Sequence, residues 1–524
     1  MSGGFTVWDW VVVGLYFLIV AAVGFAINRQ DSADARDYFL ASGQVPAWLA
    51  AVSVLATTQS AATFLGGPDF GYRGDFTYLS SFIGAAVAAV IVGHVFIPRF
   101  YARSVTTVYE LLGERFGRSA MQAAGAMFLV GRIISGGARL YLAAIAVSMI
   151  VFRDVTAFDV SVASTILVLG AFVFAFHKGL RAIVWLDLLQ FVVYVGAAIG
   201  VVLLLLHRLH LPLDVIVRDL SPTASGQDKL RLIDFSFRPS DPFAFPAVVS
   251  GIALLYVGNY ALDQDTTQRL LACKNARSSV QGLYLSIAAT IPIVALFITI
   301  GSLLYIFYHG AASVAGGPAA KFHGEDITVL MHFILTEVPS GVRGMMTVGV
   351  IATAIGTTMS ALNAMSSVLI QDFYRPWLSA RRSASEQHYV TAGRVGMAAM
   401  SAATLAMAIV SYYWQHVTRM PLLDFVLAVM NFAYAGLLAV YFTAVFTSRG
   451  SRGSVIAALL VGFSVVLVLQ PSIARMLALP LFLQTLAFPW QLCIGTLIAF
   501  AVCASGNTAR ASEGNPTQVE PQEI

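Results

Sequence analysis

Three groups of residues stand where an apolar sequence would not carry them without a use. The first is Ala56-Thr57-Thr58-Gln59-Ser60, which interrupts the run VPAWLAAVSVLATTQSAATFLGGPDFGY between Val45 and Tyr72. Lipid offers backbone N–H and C=O groups no partner, so a helix broken at bilayer depth lasts only where protein, water or a ligand satisfies them. Freed carbonyls suit a small cation, an arrangement that secondary transporters use near the membrane midplane. The second group is ionisable. Arg132 and Arg139 lie two turns apart in FLVGRIISGGARLYLAA, on nearly one helix face, and Asp187 lies in AIVWLDLLQFVVYVG. Each such group costs about 2.5–3.5 kcal/mol inside a span. The arginines, flanked by Gly131, Gly136 and Gly137, form a patch for an anion, since guanidinium meets carboxylate at two points; alternatively they snorkel to an interface or pair with a structural acid. Asp187 either takes up a proton, pairs with an arginine or holds a cation. The third group is the hydroxyl stripe Thr353, Thr357 and Ser360 in MMTVGVIATAIGTTMSALNAMSSVLIQDFYRPW, spaced i, i+4 and i+7. Such a stripe also serves plain helix packing. Facing the freed carbonyls, it is the other half of an oxygen cage for a hard cation.

The elements that must hold these residues are membrane helices. Of 524 residues, 58% are hydrophobic and 11% charged, a composition that excludes one soluble globule. Apolar windows of about 20 residues fall near 8–27, 46–66, 78–97, 119–149, 159–177, 183–207, 243–263, 279–308, 342–371, 392–413, 422–447, 453–470 and 480–504. The fold class is therefore an all-α polytopic membrane protein with about thirteen transmembrane helices. Trp8 to Ile27 is too long for a cleaved signal and lacks a basic leader, so it is the first span. A second interruption, Val257-Gly258-Asn259 in GIALLYVGNYALDQDTTQRLL, comes five spans after the first. Broken helices at matching positions in two five-span halves mark an inverted repeat with the binding site between them.

Basic residues recur on alternate sides of successive spans: Arg29 and Arg36; Arg99, Arg103, Arg115 and Arg118; Lys178 and Arg181; Arg269, Lys274 and Arg277; Arg375, Arg381 and Arg382; Arg449 and Arg452. Those loops are cytoplasmic, which puts the N-terminus outside and the C-terminus inside. The net charge of +4 is topological and implies no nucleic-acid partner. The chain divides into a first helix and cytoplasmic loop (1–45), a first repeat (46–207), an external loop (208–242), a second repeat (243–447), added helices (448–504) and a polar tail (505–524) expected to be disordered. Short surface helices are expected at Leu213 to Leu220 and Asp326 to Thr336. Cys273, Cys493 and Cys503 form no framework. No nucleophile stands beside a base, so an enzyme is not expected, and no repeated ring of carbonyls or charges suggests a channel filter. A membrane sensor would have to act through a separate partner.

By RDYFLASGQVPAWLAAVSVLATTQSAATFLGGPDFGY, TTVYELLGERFG, VWLDLLQ, DQDTTQRLLACKN and LNAMSSVLIQDFY, the chain resembles the sodium:solute symporter family over roughly residues 8–447. The resemblance implies a LeuT-type core of two inverted five-helix repeats, a place in the cell membrane (the inner membrane in a bacterium), and alternating access. It implies sodium-coupled symport of a small organic solute, a carboxylate or an acidic sugar, with proton coupling as the alternative. Carried over by motif, a sodium site falls on the carbonyls of Ala56 and Gln59 and on Thr353, Gly356 and Thr357. Gly356 stands where a serine is usual, so a hydroxyl is missing; Thr358 or a water fills its place, or coupling runs on protons. Asp187 with Ser360 resembles a second sodium position, in which Met359 replaces another hydroxyl. The solute contacts fall on Thr58, Ser60, Thr63 and Arg132, with Arg132 matching the arginine that binds a carboxylate in relatives, and Asn259 is a further candidate. Phe82 stands where a glutamine contacts a sugar, which favours a smaller carboxylate. The partners implied are an anionic small molecule and the lipid bilayer, with no obligatory protein partner.

Overall fold

An apolar segment in lipid satisfies its backbone only by coiling on itself, and each apolar window of this sequence contains helix. The computed structural model describes residues 5–26, 35–176, 179–221, 228–309, 321–322, 325–418, 425, 429 and 432–507. Among these residues, nine helices are long and apolar enough to cross a membrane, and one bent pair forms a further span. In chain order the spans are α1 (Val7–Gly24), the bent pair α2 (Ala47–Thr58) and α3 (Ala61–Arg73), α4 (Phe76–Ala102), α5 (Arg118–Val151), α6 (Ala157–Phe176), α7 (Gly179–Leu209) and α8 (Phe245–Leu262). The short α9 (Gln264–Leu271) follows, then α10 (Ala276–His309), α11 (Val342–Ser379) and α12 (Glu386–Thr418). Three shorter apolar helices close the sequence: α13 (Tyr434–Phe446), α14 (Arg452–Val468) and α15 (Phe488–Ala504). The polar tail beyond 507 lies outside the described residues, as do Arg29 and Lys178 of the basic loops and the start of the window 422–447.

The two interruptions set the architecture. α2 and α3 meet at 70°. Gln59 is extended (φ −83, ψ 125), and Ser60 caps α3 by accepting from the Ala62 N–H at 3.2 Å. The second break falls later than the sequence suggested. Val257-Gly258-Asn259 keeps helical dihedrals and leads into a π-helical turn, Gly258–Leu262, and the chain extends only at Asp263 (φ −89, ψ 111). Asp263 caps α9 by accepting from the Asp265 N–H at 3.0 Å, the role that favours aspartate at a helix start. A wider turn absorbs the glycine, and the carboxylate places the break.

Each break opens a set of five members: α2/α3 with the spans α4 to α7, then α8/α9 with the spans α10 to α12 and the shorter apolar helix α13. Five is odd, so the two halves enter the membrane from opposite faces, the arrangement of an inverted repeat. The broken helices lie in the middle of the bundle, with α2 and α3 packed on α10, α2 also on α7, and α7 on α11. At the crossing of α3 and α10 a Cβ on Gly301 would fall within 2.7 Å of the Tyr72 backbone nitrogen, so only glycine allows that approach. Arg269, counted above among loop residues, is instead fully buried on α9. Outside the spans, helices form at Leu213–Leu220, largely at the surface as expected, and at Val329–Thr336, where the expected surface helix instead buries its apolar residues.

Candidate functional site

The break between α2 and α3 ends the helical ladder. The Gln59 N–H still donates to the Leu55 carbonyl at 2.9 Å, and the next bonds run from Thr63 and Phe64 to the Ser60 carbonyl at 2.9 and 3.1 Å. The carbonyls of residues 56–59 therefore fall outside the ladder, available to a cation. On α11, Thr353 Oγ1 donates to the Val350 carbonyl at 2.9 Å, and Thr357 Oγ1 donates to the Thr353 carbonyl at 2.8 Å. A hydroxyl whose proton turns back into its own helix presents lone pairs outward. Ala56, Gln59, Thr353 and Gly356 line one small crevice, together with Gln190 and Tyr194 of α7. Thr357 lines a neighbouring crevice with Thr358, Arg132 and Arg139.

A cavity of about 140 Å³ lies beside the first crevice. Thr58, Ser60 and Thr63 line it from the first broken helix and Asn259 from the second, so four of the five expected solute residues converge. Thr266 donates to the Asn259 side-chain oxygen at 3.1 Å and orients it. Phe70, Phe82, Phe243 and Phe488 supply an apolar wall. Gln59 lines both the cavity and the crevice.

Arg132 is placed otherwise than expected. Its guanidinium donates to Asp263 at 3.2 Å and to Asp265, and Arg139, not Arg132, lines the cavity. A buried guanidinium needs a partner at close range to offset its lost hydration, and the capping aspartate of the second break supplies one. Asp263 also accepts from the Tyr434 hydroxyl at 2.7 Å, and Tyr434 lines the cavity. Arg139, on nearly the same helix face, belongs to this buried centre too and lines both the cavity and the crevice that Arg132 lines.

The second sodium position is likewise claimed by protein. Arg269 donates to Asp265 at 3.0 Å and to the Ser360 hydroxyl, and its Nε lies 3.6 Å from Asp187. Ser53 donates to the same Asp187 oxygen. A fixed cation thus stands between the two side chains, Asp187 and Ser360, that were expected to hold a mobile one. Of the three fates open to Asp187, the geometry selects pairing with an arginine.

Sequence reading passed over Asp263, Asp265, Arg269 and Gln190 as site residues. The first three were visible as charges in DQDTTQR directly after an apolar run, and Gln190 lies three residues after Asp187, on the same face of α7.

A model of the sodium:solute symporter family matches residues 38–462. The chain is 26% identical over 393 residues to sodium-coupled monocarboxylate transporter 1 of Xenopus laevis, covering 74% of this chain and 60% of that protein. It is 27% identical over 373 residues to the sodium/sialic acid symporter SiaT of Proteus mirabilis, covering 70% of this chain and 68% of that one. Its fold is similar to that of a Na+-coupled sialic acid symporter solved in a substrate-bound outward-open state, with a TM-score of 0.76 and 23% identity over 94% of this chain and 98% of the other.

Proposed function

Because the chain belongs to the sodium:solute symporter family, we propose that it carries a small monocarboxylate across the membrane together with sodium, by alternating access between its two halves. The observation that carries this reading is the double role of Gln59, which walls both the arginine-bearing cavity and the oxygen-lined crevice. A cation drawn to the carbonyls of Ala56 and Gln59 orders the break, and the break presents Thr58, Ser60 and Thr63 to the solute. The ligands of the cation are those two carbonyls with Thr353 and Thr357. Both curated relatives carry acids by name, and an arginine on the cavity wall suits an acid. Arg139 lines the cavity and Arg132 does not, so the solute carboxylate falls to Arg139. Phe70, Phe82, Phe243 and Phe488 give one side of the cavity no hydrogen-bonding group, and a hydroxyl buried against it would lack a partner; a short acid fits better than a sugar acid.

Proteoliposomes loaded with the purified protein test this reading directly. Uptake of a labelled short monocarboxylate should rise with an inward sodium gradient, and its amide should be carried poorly or not at all. Equal uptake of acid and amide would remove the anionic solute from the proposal. Uptake that follows a proton gradient and ignores sodium would replace the coupling ion.

A further inference from the structure

Gly356 is the one residue lining the cation crevice that brings no side chain, and its place is already filled. A Cβ built on Gly356 would lie 2.9 Å from Gln190 Cδ and 3.5 Å from Nε2, with Oε1 nearer than either. The carboxamide oxygen of α7 therefore sits where a side chain on α11 would begin. Gln190 is only 4% exposed. The Tyr16 hydroxyl of α1 lies against its amide group. The amide oxygen, turned toward Gly356 in a crevice already lined by the carbonyls of the break and the hydroxyl of Thr353, adds lone pairs to the same small space.

From this we infer that Gln190 Oε1 is a ligand of the transported sodium, standing in for the side-chain oxygen that Gly356 lacks. The inference rests on the proposed sodium coupling and adds a ligand from a third helix. An amide oxygen is a hard, neutral donor of the kind alkali and alkaline-earth cations accept alongside backbone carbonyls. The cage then draws on α2 and the break after it, on α11 and on α7. Gly356 becomes a requirement, because any side chain there would strike the carboxamide.

Sodium binding is read in two ways on the purified full-length protein: sodium-dependent thermal stabilisation with choline as the replacement cation, and the sodium concentration for half-maximal uptake in proteoliposomes. Gln190→Leu, similar in size but without the oxygen, should raise the half-saturating sodium concentration about tenfold or more in both. Gly356→Ser alone should weaken sodium binding through the clash. Gly356→Ser combined with Gln190→Ala should recover much of the lost affinity, since the new hydroxyl enters the vacated space; this pair also separates a lost ligand from a misfolded variant. A Gln190→Leu protein that folds and binds sodium within twofold of the unmodified chain overturns the inference, as does a double variant no better than Gly356→Ser. If the unmodified protein itself shows no sodium dependence by either measure, the proposed coupling fails, and the Gln190 ligand fails with it.

Discussion

Arg132 and Asp263 stand 3.2 Å apart, joining the long helix α5 of the first half to the break that opens the second. The pair does two things at once. It neutralises a guanidinium placed deep in the bundle, and it fixes the aspartate whose backbone geometry interrupts the helix. Neither residue lines the cavity, but Tyr434, which does, donates to Asp263.

Removing the arginine should therefore cost stability before it costs recognition. Arg132→Ala leaves Asp263 and Asp265 without their shared partner, a change of about 3–5 kcal/mol for a buried pair. A marked fall in unfolding temperature in detergent is the expected result. Unfolding at the unmodified temperature, with solute affinity alone reduced, would return Arg132 to the solute site.

Arg139 should behave in the opposite way. Arg139→Gln is expected to weaken binding of the monocarboxylate by about a hundredfold or more, since a charged hydrogen-bonded contact buried at a site carries several kcal/mol. Arg139→Lys should recover only part, because an ammonium does not meet a carboxylate at two points. Competition binding with the acid and its amide measures both.

Thr357 tests the cation cage from α11. Thr357→Ala removes one hydroxyl oxygen and should raise half-saturating sodium about tenfold, equivalent to roughly 1.4 kcal/mol, whereas Thr357→Ser keeps the oxygen and should change little. Unaltered sodium dependence in Thr357→Ala would exclude that hydroxyl from the cage.

A pH effect is expected outside the spans. His332, on the helix Val329–Thr336, has its imidazole held below the ordinary 6.5 by burial, with Glu337 opposing the shift. The folded protein thus prefers the neutral ring. As pH falls below about 6.5 the unfolded chain takes up a proton first, so stability drops until the folded value is reached. Thermal unfolding followed from pH 7 to pH 5 should show this decline, and His332→Gln should flatten it.

Much of this was legible in the sequence, for reasons that differ by element. The first break could be placed because Thr57, Thr58, Gln59 and Ser60 cannot pass as apolar helix, and the structure bends at those residues. The second was placed about five residues early. Glycine and asparagine look like an interruption in one dimension, but a π-helical turn absorbs them, and only the capping bond of Asp263 decides where the chain extends. Thr58, Ser60, Thr63 and Asn259 were found because small polar residues stand out against lipid. Which arginine faces the cavity was not legible. Arg132 and Arg139 share a helix face, and the choice between them is made by aspartates more than 120 residues further along. The Gln190 contact with Gly356 joins two helices, and nothing in either segment alone announces it.

The buried charges around the second break have an electrical consequence. Arg132, Arg139 and Arg269 are matched in number by Asp187, Asp263 and Asp265, so the buried cluster around the break has no net formal charge. A potential of 100 mV is worth about 2.3 kcal/mol for each charge that crosses it, and here that charge belongs to the cargo alone. One sodium with one monocarboxylate would cross silently and would draw on the sodium gradient only. A second sodium would turn each cycle into one elementary charge of current, so current per acid transported reads the stoichiometry without any ion being counted.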